Sequence, residues 1–303
     1  MDNLIKLIKK FNNPSVVGLD TTLTYIPNHI KKEAILKYNN TPKAAAYAIT
    51  TFNKKIIDEI KYVVPAVKFQ MACYEALGYN GIYSLQQSCE YAKNSGMYVI
   101  LDGKRNDISS SMKYYSNAYL GQTELLNGKR YSAFNCDCLT INGYLGSDSL
   151  KIVLEDCIKY SKEVFVLLKT SNPSSAEIQD EKTSNSIPIY EKMGEICETL
   201  SKEYIGQYGY SKIGAVVGAT YPEQLQYLRE RFKNTFFLVP GYGAQGATAE
   251  NVKFAFKDGI GAIINSSRNI IAAWQKDLVN EYEFAKYSKI KAEEMKADIL
   301  ANI

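Results

Sequence analysis

A chain of 303 residues with 46% hydrophobic and 22% charged residues has the balance of an ordinary globular protein and enough apolar material for a sizeable core. Its 36 Lys and Arg against 32 Asp and Glu leave a formal net charge of +4, without clustered basic runs, which suits a small anionic ligand and excludes the footprint of a nucleic-acid binder. No apolar stretch approaches the roughly 20 residues of a membrane span, and the start Met1-Asp2-Asn3-Leu4-Ile5-Lys6 has no secretory apolar core. The expectation is a cytoplasmic protein with neither nucleic-acid nor membrane partner.

Along the chain, Leu4, Ile5, Leu7, Ile8 and Phe11 share one face of a short amphipathic helix. A first apolar run, 15–19, reads as a strand. Ile26-Pro27-Asn28-His29 reads as a surface segment, and His29 is the only histidine, which leaves little room for Ser-His-Asp chemistry. Helical patterns at 44–62, 83–94, 147–161, 189–204, 222–232 and 249–257 alternate with further apolar runs at 65–69, 97–101, 138–141, 164–168, 213–217, 236–239 and 261–264. Most of these runs are rich in Val, Ile or Phe and continuously apolar, as strands buried on both faces are. Eight strands separated by helices predict a (β/α)8 barrel of the TIM type, one α/β domain over 1–303; an open doubly wound sheet is the runner-up. The polar segment 171–186 follows a strand and reads as a lid or as a plain insertion, and 279–303 as a charged amphipathic helix packed outside. The cysteines at 73, 89, 136, 138, 157 and 197 include one C-x-C but no second pair at zinc-ribbon spacing. They read as buried reduced thiols, so metal chemistry would rest on carboxylates alone.

Charge collects where strands end. In Leu101-Asp102-Gly103-Lys104-Arg105-Asn106-Asp107-Ile108, Asp102 and Lys104 are two apart and face one way, with Asp107 in the following loop. Two carboxylates flanking an ammonium offset each other's cost; the plain alternative is a solvated charge cluster. Lys68 interrupts the apolar Val64-Pro65-Ala66-Val67-Lys68-Phe69-Gln70, either snorkelling outward or meeting Asp102 in the barrel mouth, and Asp20 closes Val16-Val17-Gly18-Leu19-Asp20 at the same end. After the last two strands come Pro240-Gly241-Tyr242-Gly243-Ala244-Gln245-Gly246 and Asn265-Ser266-Ser267-Arg268. Barrels frequently hold phosphate with these two loops, glycines admitting backbone N–H groups to the anion and Arg268 forking onto its oxygens; ordinary tight turns are the alternative.

The run from Asp102 to Ile108 resembles the D-x-K-x-x-D-I signature of orotidine 5'-phosphate decarboxylases, and Val17 to Asp20, Val67 to Gln70, Val239 to Gln245 and Ser267-Arg268 resemble that family's other functional segments. The likeness runs from Val16 to about Arg268 and is nearest the longer subgroup of some bacteria and protozoa. It implies a barrel enzyme of pyrimidine biosynthesis that converts orotidine monophosphate to UMP and CO2 without cofactor or metal. It further implies a homodimer with sites shared across the interface. By position, the resemblance makes Lys68, Asp102, Lys104 and, from the partner subunit, Asp107 an alternating charge array, with Lys104 the proton donor to C6. Asp20 and Lys68 would contact the ribose. Ile108 and Ser111 of the partner subunit would close the site; many relatives carry Thr where this chain has Ser111. Thr170 and Ser171 would meet the pyrimidine, which of the two being open, and Gln245 and Arg268 would grip the phosphate. The rival readings are a metal-dependent sugar-phosphate decarboxylase or epimerase of the same superfamily, and a non-catalytic nucleotide-binding barrel.

Overall fold

Alternate residues along each apolar run fall into two separate cores. The computed structural model, which describes residues 1–243 and 246–303, closes these runs into one parallel barrel. Its strands are β1 Ser15–Gly18, β2 Ala66–Gln70, β3 Tyr98–Arg105, β4 Cys138–Ile141, β5 Glu163–Lys169, β6 Ile213–Val217, β7 Phe237–Val239 and β8 Ala262–Ser266. Each strand pairs with the next, and β1 pairs with β8 in the register Ser15↔Ile264. The closed barrel replaces the open-sheet alternative. Helices fill the crossovers, as parallel pairing requires.

One core holds Val16, Ala66, Ile100, Cys138, Phe165, Val216, Leu238 and Ile263, together with Met1, Leu4, Ile5 and Ile8 of the first helix, Asp2–Phe11. It fills the barrel, and the amphipathic helix closes its floor. The other core takes the neighbours on the same strands, Val17, Val67, Val99, Leu139, Val166, Ala215, Val239 and Ile264, and packs them on the helices. In that layer Pro42–Ile60 is capped by Thr41, whose hydroxyl accepts from Ala44 N at 3.3 Å, and buries Ile49, Phe52, Ile56 and Ile60. The helix Phe284–Leu300 lays Phe284, Ser288, Ala292, Met295 and Ile299 against it, with Phe284 stacked on Phe52 at 4.9 Å.

Several boundaries differ from expectation. β3 runs on to Arg105 instead of stopping at Leu101. Helices not foreseen occupy Asn28–Tyr38 and Ser109–Tyr119, and a two-stranded ribbon pairs Thr123–Glu124 with Arg130–Tyr131. Asn28–Tyr38 buries only Ile30 and Ala34, too little to print a periodic pattern. His29 therefore lies in a helix, its ring stacked at 4.4 Å on Tyr282 and its Nδ1 3.4 Å from Glu281 Oε1. The expected helix at 249–257 is a short turn, Ala249–Val252, that tightens into 3-10 geometry over Lys253–Ala255. All six thiols are free; five are buried and Cys73 is half-buried.

Candidate active site

Continuing the inner face of each strand upward places Lys68, Gln70, Asp102, Thr140, Leu167, Val216, Leu238 and Asn265 around one cavity of about 580 Å³ at the C-terminal end of the barrel. That volume is in the range of small-molecule sites, roughly 300–1,000 Å³.

Charge is concentrated on one side. Lys68, 4% exposed, sets its Nζ 3.3 Å from Asp20 Oδ1 and 3.0 Å from Asp102 Oδ2. Asp102 Oδ1 accepts from Lys104 Nζ at 2.7 Å and from Thr140 Oγ1 at 2.8 Å. With its amide oriented by its surroundings, Gln70 donates to Asp102 Oδ2 and to the Asp102 main-chain oxygen, each at 3.0 Å. Burial works against the Asp102 charge, yet the Lys68 and Lys104 ammonium groups outweigh it and hold the carboxyl well below the usual carboxylate range. Burial likewise opposes the Lys68 charge; Asp102 and Asp20 overcome it and raise Lys68 above the ordinary lysine value. Of the two lysines, Lys68 is sealed in and Lys104 keeps 42% of its side chain exposed toward the cavity. The snorkelling alternative for Lys68 does not hold: its stem is enclosed and its charge is answered inside the mouth.

Asp102 and Lys104 share a face, as their spacing predicted, but by a different route. The β3–β4 register jumps from Leu101↔Leu139 to Arg105↔Ile141, and Lys104 has φ 48. A bulge, not simple alternation, turns Lys104 into the mouth. Arg105 leaves the site altogether, ion-paired with Glu75 and bonded to Tyr119 Oη at 3.2 Å.

Asp107, Ile108 and Ser111 do not line this cavity. Asp107 Oδ1 accepts from Ile108 N at 2.8 Å in the loop before the helix Ser109–Tyr119, Ile108 is 60% exposed, and Ser111 is half-buried on the first turn of that helix.

The other side is apolar wall and loop. Leu167, Val216 and Leu238 face the cavity, with Pro240, Gly241 and Tyr242 above them. Gln245 lies outside the described residues. Ser267 and Arg268 line the same rim, Arg268 opening the short helix Arg268–Ile271. A Cβ on Gly18 would sit 1.9 Å from Ser267 Oγ, so only glycine at the end of β1 lets this loop close over it. Asn265 Oδ1 and Ser266 Oγ are buried without a hydrogen-bond partner among the described residues, polar atoms that a ligand would satisfy.

Thr170 and Ser171 both reach the cavity, on a segment that is folded rather than loose. Pro173–Ser175 forms a 3-10 turn, Ala176–Gln179 a helical turn, and Lys182 bridges Pro188. Lys169, fully buried, reaches Asp180 Oδ1 at 2.7 Å and lies 4.6 Å over the Tyr221 ring. Gln179 clasps Thr170 twice, accepting from its backbone N at 2.9 Å and donating to its hydroxyl at 2.7 Å; that hydroxyl in turn donates to Asn172 Oδ1 at 2.7 Å.

Sequence reasoning passed over Thr140, Gln70 and Gln179. Thr140 looks like one more β-branched strand residue, and nothing local marks it; Gln70, a polar residue two past Lys68, carried a weak signal of facing the same way. Among the described residues no group of three or more His, Cys, Asp or Glu is placed to hold a metal ion, and the gap between Asp20 and Asp102 is filled by the Lys68 ammonium.

Comparison with known proteins agrees with this geometry. Residues 17–283 match the Orotidine 5'-phosphate decarboxylase / HUMPS family. The chain is 43% identical over 287 residues to the orotidine 5'-phosphate decarboxylase of Caldicellulosiruptor bescii, covering 94% of this chain and 93% of that one. It is 42% identical over 292 residues to that of Caldicellulosiruptor saccharolyticus, covering 96% and 95%. Among solved structures, Leishmania donovani OMP decarboxylase superposes with a TM-score of 0.69 at 26% identity, over 99% of this chain and 96% of its own. On the family match and on identity above 40% across nearly the whole length, the chain belongs to the orotidine 5'-phosphate decarboxylase / HUMPS family.

Proposed function

We propose that this enzyme is a carboxy-lyase that converts orotidine 5'-monophosphate to UMP and CO2 in pyrimidine biosynthesis, working in the cytoplasm as a homodimer. The observation that carries the reading is the Lys68–Asp102–Lys104 array at the barrel mouth, facing a glycine-rich loop and Arg268 across one cavity. Six free thiols suit a reducing compartment.

In the reaction the bond from C6 to the carboxylate breaks, its electron pair stays on C6, and CO2 departs. Lys104 supplies a cation where that charge develops and passes one Nζ proton to C6; a fixed charge in a water-poor site is worth far more there than in water. Asp102 holds Lys104, Lys68 holds Asp102, and Asp20 with Lys68 takes the ribose hydroxyls. Arg268, with Gln245 and the Ser267 loop, holds the phosphate, whose binding energy orders the site. Between the two pyrimidine candidates the hydrogen bonding favours Ser171. The Thr170 hydroxyl spends its one proton on Asn172 and accepts from Gln179, whereas the Ser171 hydroxyl makes no hydrogen bond to a described residue.

Asp107, Ile108 and Ser111, which stand outside their own chain's cavity, serve the partner subunit's site across a twofold interface. Lys104→Ala and Asp107→Ala homodimers are then each nearly inactive. Mixed and allowed to exchange, they form about half heterodimers, each with one intact site, so activity recovers toward roughly a quarter of wild type. No recovery after exchange is verified by native mass spectrometry would place Asp107 in its own chain's site.

The direct test of the reaction is the loss of orotidine monophosphate absorbance with purified protein and EDTA. Turnover is expected. Inhibition by EDTA would favour a metal-dependent relative of the superfamily, and UMP binding without turnover would favour a non-catalytic barrel.

A further inference from the structure

Between the pairs Leu101↔Leu139 and Arg105↔Ile141, β3 has Asp102, Gly103 and Lys104 where β4 has Thr140 alone. The bulge leaves the Lys104 amide without a ladder acceptor and its backbone at φ 48, a conformation that L side chains rarely adopt. Thr140, 1% exposed, answers both consequences with one hydroxyl. Its Oγ1 accepts from Lys104 N at 3.0 Å and donates to Asp102 Oδ1 at 2.8 Å, the same oxygen that receives Lys104 Nζ at 2.7 Å. A three-membered clasp results: hydroxyl to carboxylate, carboxylate to ammonium, and amide of that same lysine back to the hydroxyl. The β-branch restricts χ1, so the hydroxyl is held between its partners.

The geometry points to Thr140 as a positioning residue for the decarboxylation: its hydroxyl pins the bulge that aims Lys104 at the reacting carbon and fixes which Asp102 oxygen the ammonium meets. This rests on the reaction proposed above, for which Lys104 is the proton donor. Threonine is suited to the place by its chemistry. Valine keeps the shape and loses both bonds. Serine keeps both bonds and loses only the branch.

Thr140→Val and Thr140→Ser in the full chain test this, with kcat, KM, UMP binding and the pH dependence of kcat measured for each. For Thr140→Val, kcat is expected to fall on the order of 10- to 100-fold, since two hydrogen bonds in a charged network are lost, while KM and UMP affinity stay within about twofold. The acidic limb of the profile moves to higher pH, because Asp102 has lost a donor that favoured its ionised form. The other groups facing Asp102, namely Lys68, Lys104 and Gln70, with Asp20 behind Lys68, are unaltered. Thr140→Ser restores both rate and limb. A merely structural role would lower Tm and leave the limb in place. The inference is overturned by a folded Thr140→Val with wild-type kcat and acidic limb, or by Thr140→Ser as impaired as Thr140→Val. If Thr140→Val does not fold, Thr140→Cys, a weak donor and acceptor of similar size, is expected to show the same limb shift, and a wild-type profile overturns the idea. Absence of turnover by the unaltered protein would instead overturn the reaction itself.

Discussion

Strands β1 to β4 and strands β5 to β8 meet in one cavity and present it with opposite surfaces. The first half contributes Asp20, Lys68, Gln70, Asp102, Lys104 and Thr140, every one bonded to another member of the group before any substrate arrives. The second half contributes an apolar wall from β5 to β7, Leu167, Val216 and Leu238, and becomes polar at the end of β8, with Asn265 and Ser266, and in its loops, with Thr170, Ser171, Ser267 and Arg268. The pairing explains how ionised groups tolerate such burial, since an unpartnered buried charge costs several kcal/mol. The apolar half explains what the pairing is for. A wall without hydrogen-bonding groups displaces water, lowers the local dielectric and strengthens the field of the ammonium groups opposite. In the reaction proposed above, one half would act on the reacting centre, and the other would keep it dry and hold the remote end of the ligand.

The sharpest way to break this division is Lys104→Ala. It removes the more exposed cation of the array, and with it the proposed proton donor, so kcat should fall by about 10⁴-fold or more while the barrel stays folded. Near-normal turnover by a folded variant would end the assignment. Arg268→Ala tests the opposite half. Loss of a charge-assisted phosphate contact should lower kcat/KM by roughly 10²- to 10³-fold, and orotidine lacking its phosphate is the control. If that substrate suffers as much as the nucleotide, Arg268 is not a phosphate grip and the division of labour fails. The smallest effect is on stability. Asp102 has its folded-state pKa depressed, so its contribution is present above the unfolded value near pH 4 and is lost as pH falls toward the folded value. Asp102→Asn should therefore cost roughly 2–4 kcal/mol in urea unfolding near pH 7, and the gap to wild type should narrow by about pH 2.5. An equal gap at both pH values would show that the ion pairs are not what that carboxylate contributes.

How much of this could be read beforehand varies with the kind of contact. The eight strands were legible because both faces of each are buried, so most of the runs are rich in Val, Ile or Phe and few carry a polar interruption. Lys68, Asp20 and Asp102 were legible for the complementary reason, a charge at the end of such a run. The bulge at Gly103 and Lys104 was not, because its cause is on another strand: the Thr140 hydroxyl supplies the acceptor that β4 backbone does not. Asn28–Tyr38 was missed because it rests on Ile30 and Ala34 only, and the start of β3's following helix because its first turn is Ser109, Ser110 and Ser111, with no apolar stripe. The ordering of 171–186 was likewise hidden, since it depends on Lys169 meeting Asp180 and on Gln179 meeting Thr170, pairings of polar residues that no periodicity announces.

The seam between β1 and β8 has a consequence for how the molecule is made. Ser15 pairs with Ile264 and Val17 with Ser266, so the first strand lacks one neighbour until the last strand exists. With synthesis at about 5–20 residues per second, roughly 250 residues of translation, on the order of ten to fifty seconds, separate the two edges. Throughout that interval the nascent chain carries the open hydrogen-bonding edge of β1, a template for pairing with any other extended segment. Asp20 and Arg268 come from the two sides of that seam. A chain that stops before β8 has most of a barrel and no closed seam, so it lacks the side of the site that carries Arg268.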